Sequence, residues 1–259
     1  MQVEPKRVAR GLYWDQALSL FEGCMPIGPE CLHCWAAEQT HRRKRLLPAR
    51  YGGLTDMQGR FNGKVRFMEK DLAKPLRRRK PTVYSIWNDL FHVCVAFFHR
   101  DWVMAMIHDC PQHTFLALTK RPWRMADWSK CRPRAGELPH LWIGTTAGTQ
   151  TSADERLPHL LQCPAAVRFL SAEPLLEHLD ITAWTWGPSI DRLAWLIIGP
   201  ETGSRRRACE PAWMKSLIEQ ADAAKVPVFI KAFPMGGRIS KDSAEWPRWA
   251  RRREFPSTP

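Results

Sequence analysis

The strongest constraint on the fold is a recurrence of short apolar runs, nearly continuous in β-branched and aromatic residues. They are Val65–Glu69 (VRFME), Thr82–Trp87 (TVYSIW), Thr114–Thr119 (TFLALT), Leu141–Thr146 (LWIGTT), Val167–Ala172 (VRFLSA), Leu193–Ile198 (LAWLII) and Val226–Ile230 (VPVFI). Runs without polar alternation belong to strands covered on both faces, as in parallel sheets. Helical patterns lie between them. One spans Val93–His108. A second spans Ser152–Leu161, with Thr151 or Ser152 as its cap and Pro158 as an interruption. A third spans Glu210–Ala224, with Pro211 in its first turn. Strand–helix alternation predicts βαβ units. Seven runs, and a possible eighth near Gly11–Leu20, predict an α/β fold, a full or partial (β/α) TIM-like barrel.

With 259 residues, 44% of them hydrophobic, the chain can bury one large core. The α/β domain is expected over residues 1–233. Residues 36–64, polar and glycine-bearing, read as an insertion or lid. Residues 234–259, rich in Arg, Trp and Pro, read as a loosely wrapping basic tail. In barrels of this kind, function sits after the C-terminal ends of the strands. The residues there are Asn88 and Asp89, Lys120 and Arg121, Thr145 and Thr146, Glu173, Glu201 and Lys231. Each alone reads as a helix cap, a surface charge or a rim ion pair. Their repetition at one end predicts a polar mouth.

The formal net charge is +13, and much of it lies in runs at 42–45, 77–80, 205–207 and 251–253. Such a balance favours a polyanionic partner, nucleic acid or a nucleotide-bearing substrate; the alternative reading is a solvated basic surface, or tails that merely keep the protein soluble. No helix-turn-helix, zinc-finger or oligonucleotide-binding signature accompanies the charge. The thirteen tryptophans mostly adjoin the strand-like runs, where packing accounts for them. No apolar stretch reaches the roughly 18 residues of a membrane span. The first residues, MQVEPKRVARG, carry no apolar run of a secretory signal. A cytoplasmic protein without a membrane partner is expected.

Three of eight cysteines fall close together as Cys24, Cys31 and Cys34, a C-x6-C-x2-C spacing. Pro26, Gly28 and Pro29 let the chain curl back, so that all three thiolates reach one centre. Cys94, Cys110, Cys131, Cys163 and Cys209 are scattered and read as buried or incidental. Thiolates are soft ligands, suited to zinc or to iron–sulfur clusters. Structural zinc normally takes four protein ligands. The candidates for a fourth are His33, which lies between two of the cysteines, and His41, which lies outside the usual finger spacing. A four-iron cluster on three thiolates leaves one iron open for a chelating ligand.

These cysteines and several strand-end motifs resemble a family of phage-associated proteins of unassigned function, itself similar to a divergent branch of the radical S-adenosylmethionine superfamily. The resemblance runs from Tyr13 to Phe233. It is carried by GLYWDQALSLFEGCMPIGPECLHCWA, by NDLFH at Asn88–His92 and by HTFLALTKRP at His113–Pro122. Further motifs are the segment Trp142–Leu176, WLIIGPETG at Trp195–Gly203 and the segment Pro211–Phe233. It implies an N-terminal cluster-binding loop after the first strand, with Cys24, Cys31 and Cys34 holding a [4Fe-4S] cluster. S-adenosylmethionine would chelate the fourth iron, and an electron donor would reduce the cluster. Cleavage would then yield a 5'-deoxyadenosyl radical, chemistry that belongs to the cofactor. By this likeness His33, Asn88, Gly144 and Glu173 are expected to contact cofactor. Asp89, Lys120, Glu173, Glu201 and Lys231 are expected to serve catalysis or substrate binding, with Arg121 a further anion ligand and Gly199 a place of close approach. The chain departs from the family pattern at Trp87-Asn88, at Pro200, at Ala232 and at His33, where an aromatic is usual. The expected function is a radical S-adenosylmethionine enzyme acting on nucleic acid or another anionic molecule. The competing expectations are a zinc-stabilised, non-catalytic nucleic-acid-binding protein and a phage- or defence-associated adaptor.

Overall fold

The computed structural model describes residues 5–130, 138–187 and 192–257. In chain order the elements are β1 (Gln16–Leu18), β2 (Phe21–Glu22), α1 (Trp35–Arg43), α2 (Pro48–Tyr51), β3 (Arg66–Phe67), α3 (Ala73–Leu76), β4 (Val83–Ile86) and α4 (Phe97–His108). Next come β5 (Thr114–Thr119), α5 (Pro122–Lys130), β6 (Leu141–Thr146), α6 (Gln150–Leu161), β7 (Val167–Ala172) and α7 (Thr182–Thr185). Then follow β8 (Trp195–Ile198), α8 (Pro211–Ala223), β9 (Val228–Ile230), β10 (Phe233–Met235) and β11 (Arg238–Ser240).

The fold is α/β, as the alternation predicts. Seven strands form one sheet in the order β1-β4-β5-β6-β7-β8-β9, and every neighbouring pair is parallel. The sheet curls into a half-barrel. Among the described residues, a full barrel of eight strands is not formed. The run Val65–Glu69 contributes only Arg66–Phe67, which pairs antiparallel with Phe21–Glu22 outside the main sheet. Its Arg66 side chain turns back to donate to the carbonyls of Arg50 and Gly52, 2.6 and 3.0 Å away. That ties the strand to the excursion at 36–64 instead of to a neighbour in the sheet. The excursion is itself anchored. Arg50 donates to Glu22 at 2.6 Å, to Asp71 at 3.1 Å and to the Ser19 carbonyl at 3.3 Å, and Leu54 and Phe61 are buried.

Strand alternation divides the apolar residues between two cores. Tyr84, Ile86, Phe115, Ala117, Leu141, Ile143, Leu170, Leu196 and Val228 pack beneath α4, α5, α6 and α8. The residues between them, Val83, Leu116, Trp142, Val167, Phe169, Trp195, Ile197 and Phe229, fill the concave side with Tyr13 and Trp14. Two helix boundaries differ from the expected ones. The 3.0 and 2.9 Å bonds His92 N–Asp89 O and Val95 N–His92 O hold residues 89–95 in tight turns, so α4 begins at Phe97. The cap of α6 is Thr149, whose hydroxyl accepts from Ser152 N.

The segment expected to wrap loosely is packed. Ile230 N donates to Arg252 O and Glu254 N donates to Val228 O, so residues 252–254 run antiparallel along the free edge of β9. Trp246 is buried, and Phe255 reaches the concave core. On the other side of the opening, Arg253 donates to the Val8 carbonyl at 2.6 Å. Gly11 lies against the carbonyl of Lys231, and a Cβ there would come within 2.3 Å of the oxygen. Its φ of +71° also suits glycine. The segments around residues 8–11 and Arg253 thus meet across the gap between β1 and β9. Among the described residues, no helix is long and apolar enough to cross a membrane.

Candidate functional site at the mouth of the sheet

Because the strands are parallel, their C-terminal ends gather at one rim. The loop that carries Cys24, Cys31 and Cys34 leaves β2 and is tied to that rim at several points. The first tie runs through Asp89, after β4. Its carboxylate accepts from Thr119 Oγ1 at 2.6 Å, from Phe91 N at 2.9 Å and from Arg121 Nη1 at 2.6 Å. Both partners of this ion pair are buried. The other arm of Arg121, Nη2, donates to the Met25 carbonyl at 2.8 Å, beside Cys24.

The second tie runs through Glu201, after β8. Arg207 grips its carboxylate with Nε at 3.0 Å and Nη2 at 2.6 Å, and the Arg207 amide donates at 2.8 Å. Arg207 Nη2 also donates to the Pro29 carbonyl at 2.9 Å. His33 Nδ1 lies 3.0 Å from the same carboxylate, between Cys31 and Cys34 in the chain. Burial alone would raise the Glu201 pKa, but the bonds from Arg207 and His33 outweigh it and bring it to about 2. The carboxylate is therefore ionised at neutral pH, and His33 Nδ1 carries the proton it donates.

The third tie is Glu30, which points down into the protein. It accepts from Gly148 N at 3.0 Å and faces Arg156 Nη1 at 3.3 Å, while Arg156 donates to the Thr146 carbonyl at 2.7 Å. Burial opposes ionisation of Glu30, yet Arg156 and the bonds from Ser152 and Gly148 hold its pKa below the usual value. Gly28 crosses directly above this pair. A Cβ there would lie 2.7 Å from both Arg156 Nη2 and Glu30 Oε2.

All three cysteines are free and half-buried. Burial pushes the Cys24 thiol up to about 12; Asp89 and Cys34 add to the rise, and Arg121 and Lys120 oppose it. Cys24 therefore shares its surroundings with Cys34, Asp89, Lys120 and Arg121. A thiolate at this position calls for a metal, or for those two cations, to carry its charge. Among the described residues, no three His, Cys, Asp or Glu side chains are grouped so as to hold one metal ion. The Nδ1 atoms of both candidate fourth ligands are engaged, His33 with Glu201 and His41 with Thr55 Oγ1 at 3.0 Å.

Inside the rim, Lys231 donates to Glu173 at 2.6 Å, and both side chains are about one-fifth exposed. The Lys231 ammonium sits 5.3 Å from the Trp14 ring centre. Gly199 makes room for the pair, since a Cβ there would touch Glu173 Cγ at 3.4 Å and Lys231 Cβ at 3.5 Å. Gly144 has the Phe169 ring against it, 2.4 Å from where a Cβ would stand. Asn88 takes a left-handed turn at φ 61°, which asparagine tolerates, and its amide donates to the Phe21 carbonyl at 2.6 Å and to Glu22 at 3.2 Å. Trp35, next to Cys34, meets Trp87 edge to face at 4.7 Å, and Trp87 meets Trp14 at 6.5 Å. An aromatic line thus leads from the cysteine loop to the concave core.

Sequence reasoning did not single out Glu30, Arg156, Arg207 or Trp35. Glu30 was legible in principle as an acid inside the cysteine motif. Arg207 was hidden in a run that reads as surface charge. Of the scattered cysteines, Cys110, Cys163 and Cys209 are buried and Cys94 is exposed, while Cys131 lies outside the described residues.

The depressed pKa of Glu201 carries a pH signature. A carboxylate whose folded pKa is lowered stabilises the fold above its unfolded pKa and loses that contribution as pH falls through the folded one. The window here runs from about 4.5 down to about 2. Acid is therefore expected to release the 24–34 loop in this window, and Glu201→Gln to flatten the pH dependence. Proteolysis of the loop followed against pH checks it; equal slopes in both proteins would refute the assignment.

Comparison with known proteins locates the chain by family. No curated protein and no solved structure matches it. Residues 12–253, covering the sheet, the cysteine loop and nearly all of the packed C-terminal segment, match the family described as "Protein of unknown function (DUF5131)", and the chain belongs to that family.

Proposed function

We propose that the chain is a radical S-adenosylmethionine enzyme in which Cys24, Cys31 and Cys34 hold a [4Fe-4S] cluster, and that it acts on nucleic acid or another anionic substrate. The observation that carries this reading is the cysteine loop itself, fixed by Arg121, Arg207, Glu30 and His33 to the C-terminal mouth of a curled parallel sheet. Such a loop presents three soft thiolates and no convincing fourth ligand. In a four-iron cluster each thiolate binds a different iron, so the sulfurs need not converge on one point as they would around zinc. When bound, the cluster and S-adenosylmethionine supply a reactive carbon radical after one-electron reduction.

The remaining roles fall to the chain's own side chains. Lys120 and Arg121 offset negative charge at Cys24. The Glu173–Lys231 pair offers one acceptor and one donor on the concave side, where a bound molecule would face the loop. Trp35 and Trp87 place aromatic surface between the cysteine loop and that side. The net charge of +13 suits an anionic substrate and an acidic electron-donor partner.

Anaerobic reconstitution tests the proposal. About four irons and four sulfides per chain are expected, with reductant-dependent release of 5'-deoxyadenosine. Alanine at Cys24, Cys31 or Cys34 is expected to abolish both. A full cluster that neither binds nor cleaves S-adenosylmethionine would overturn the enzyme reading. One observation favours the zinc alternative: a carboxylate on His33 Nδ1 is the usual outer partner of a metal-bound histidine. One zinc per chain, with no acid-labile sulfide, would decide for it.

A further inference from the structure

A second polar feature stands on the same rim, apart from the cysteines and from the Glu173–Lys231 pair. The loop after β8 and the β10–β11 hairpin, which leaves the end of β9, enclose an open cavity of about 360 Å³. Thr202, Gly203, Ser204 and Arg206 line one wall, and Arg238, Ile239 and Lys241 line the other. Arg206 ties the walls together by donating to the carbonyls of Gly203 and Gly237. Arg238 faces Glu245 at 3.0 Å. Among the described residues, neither Arg206 nor Lys241 has an ion-pair partner. Three cations against one carboxylate leave an excess of positive charge, with two hydroxyl side chains beside it.

We infer that this cavity is a phosphate-binding subsite, and that the group it takes is a phosphodiester of a nucleic-acid strand. Guanidinium and ammonium groups beside serine and threonine hydroxyls are the donors that phosphate oxygens accept from. The cavity is open rather than enclosed, which suits a strand passing over the rim more than a small metabolite sealed inside. Its position brings such a strand to the cysteine loop. Glu201, which holds His33, immediately precedes Thr202, and Arg207, which holds Pro29, immediately follows Arg206. The inference deepens the proposed function by naming the anionic group. It needs the cluster reading only to say what happens to the strand afterwards.

The test is equilibrium binding of the full chain to a fluorescent single-stranded oligonucleotide and to adenosine monophosphate, over a range of salt. Arg238→Gln/Lys241→Gln is the cavity variant, and Lys241→Glu alone is a second one that leaves the Arg238–Glu245 pair intact. Arg77→Gln/Arg79→Gln is the control, because these exposed residues precede β4 and belong to the opposite end of the sheet. The cavity double variant is expected to weaken the oligonucleotide about tenfold at low salt. It should also reduce the salt slope by about 1.4, as loss of two contacts to a single strand requires. The control should change affinity less than threefold. Weakening of the oligonucleotide alone identifies a backbone phosphodiester; equal weakening of the mononucleotide keeps the phosphate site and transfers it to a phosphomonoester. Native affinity within twofold in both cavity variants, a larger loss in the control, or no binding by the native chain would each overturn the inference. Binding is read without reductant or S-adenosylmethionine, both before and after reconstitution with iron and sulfide, so a failure of the cluster proposal leaves this result readable.

Discussion

Replacing Asp89 by leucine is expected to cost about 3–5 kcal/mol of folding stability, because it leaves Arg121 buried without its counter-charge. Arg121 is 1% exposed and its partner Asp89 7%. Thr119 Oγ1 and Phe91 N would lose their acceptor in the same step. Water cannot replace the lost partner at this depth without opening the rim. The Asp89→Leu/Arg121→Met double variant is expected to recover most of the loss, since exchanging both members of a buried pair for apolar groups removes the stranded charge. It should still loosen the cysteine loop, because Met25 then has no donor from Arg121. Urea unfolding measures the first effect, and proteolysis near Met25 measures the second. A single-variant cost below about 1 kcal/mol would mean that the pair is solvated and does not brace the loop. Asp89→Asn keeps the shape and separates the two uses of the residue. If it folds and loses activity, Asp89 touches the chemistry; if it only destabilises, Asp89 acts as an anchor.

The same residues show what the chain's sequence could and could not reveal. Thr114–Thr119, Leu141–Thr146 and Val167–Ala172 are strands with the boundaries their apolar runs predict, because both faces of each are buried. Val65–Glu69 carries a similar run but lies at the end of the excursion, and its pairing with Phe21–Glu22 is a tertiary choice no periodicity encodes. The first strand of the sheet, Gln16–Leu18, is short and mostly exposed, so its register against Tyr84–Ile86 leaves almost no pattern. The polar strand ends were legible because parallel strands must bring them to one side. Which of them pair was not: Glu201 with His33, and Glu30 with Arg156, join residues far apart in the chain, and Arg207, six residues from Glu201, lies in a run that reads as surface charge. Glu173 with Lys231 depends on β7, β8 and β9 being consecutive in the sheet, which only the fold establishes.

That half-open sheet makes a second large effect predictable. A closed barrel fills its interior from all its strands, whereas seven strands leave the concave side to a few large aromatics. Trp195 is at the centre of them. It is fully buried, its indole N–H donates to the Glu254 carbonyl at 2.8 Å, and its ring meets Tyr13, Trp142, Phe169, Phe229 and Phe255 at centroid distances of 5.3–6.3 Å. Trp195→Ala is expected to lose about 3–5 kcal/mol, from the transferred ring area and the cavity left behind. The loss should not be uniform. Without the ring, Phe255 and the Glu254 carbonyl lose their inner contact, and the antiparallel pairing of 252–254 with β9 is held by its remaining backbone bonds and the Arg252–Asp222 pair. Amide exchange is therefore expected to rise first at Glu254 and at Ile230, whose N–H groups bond across that edge, and only later in β5 and β6. Trp195→Phe should keep the packing, lose the bond to Glu254, and cost about 1–2 kcal/mol. If exchange in the alanine variant rises equally in all strands, the C-terminal segment is part of the global fold. If it rises first at the β9 edge, the segment is a separate local closure that substitutes for the strand the barrel lacks.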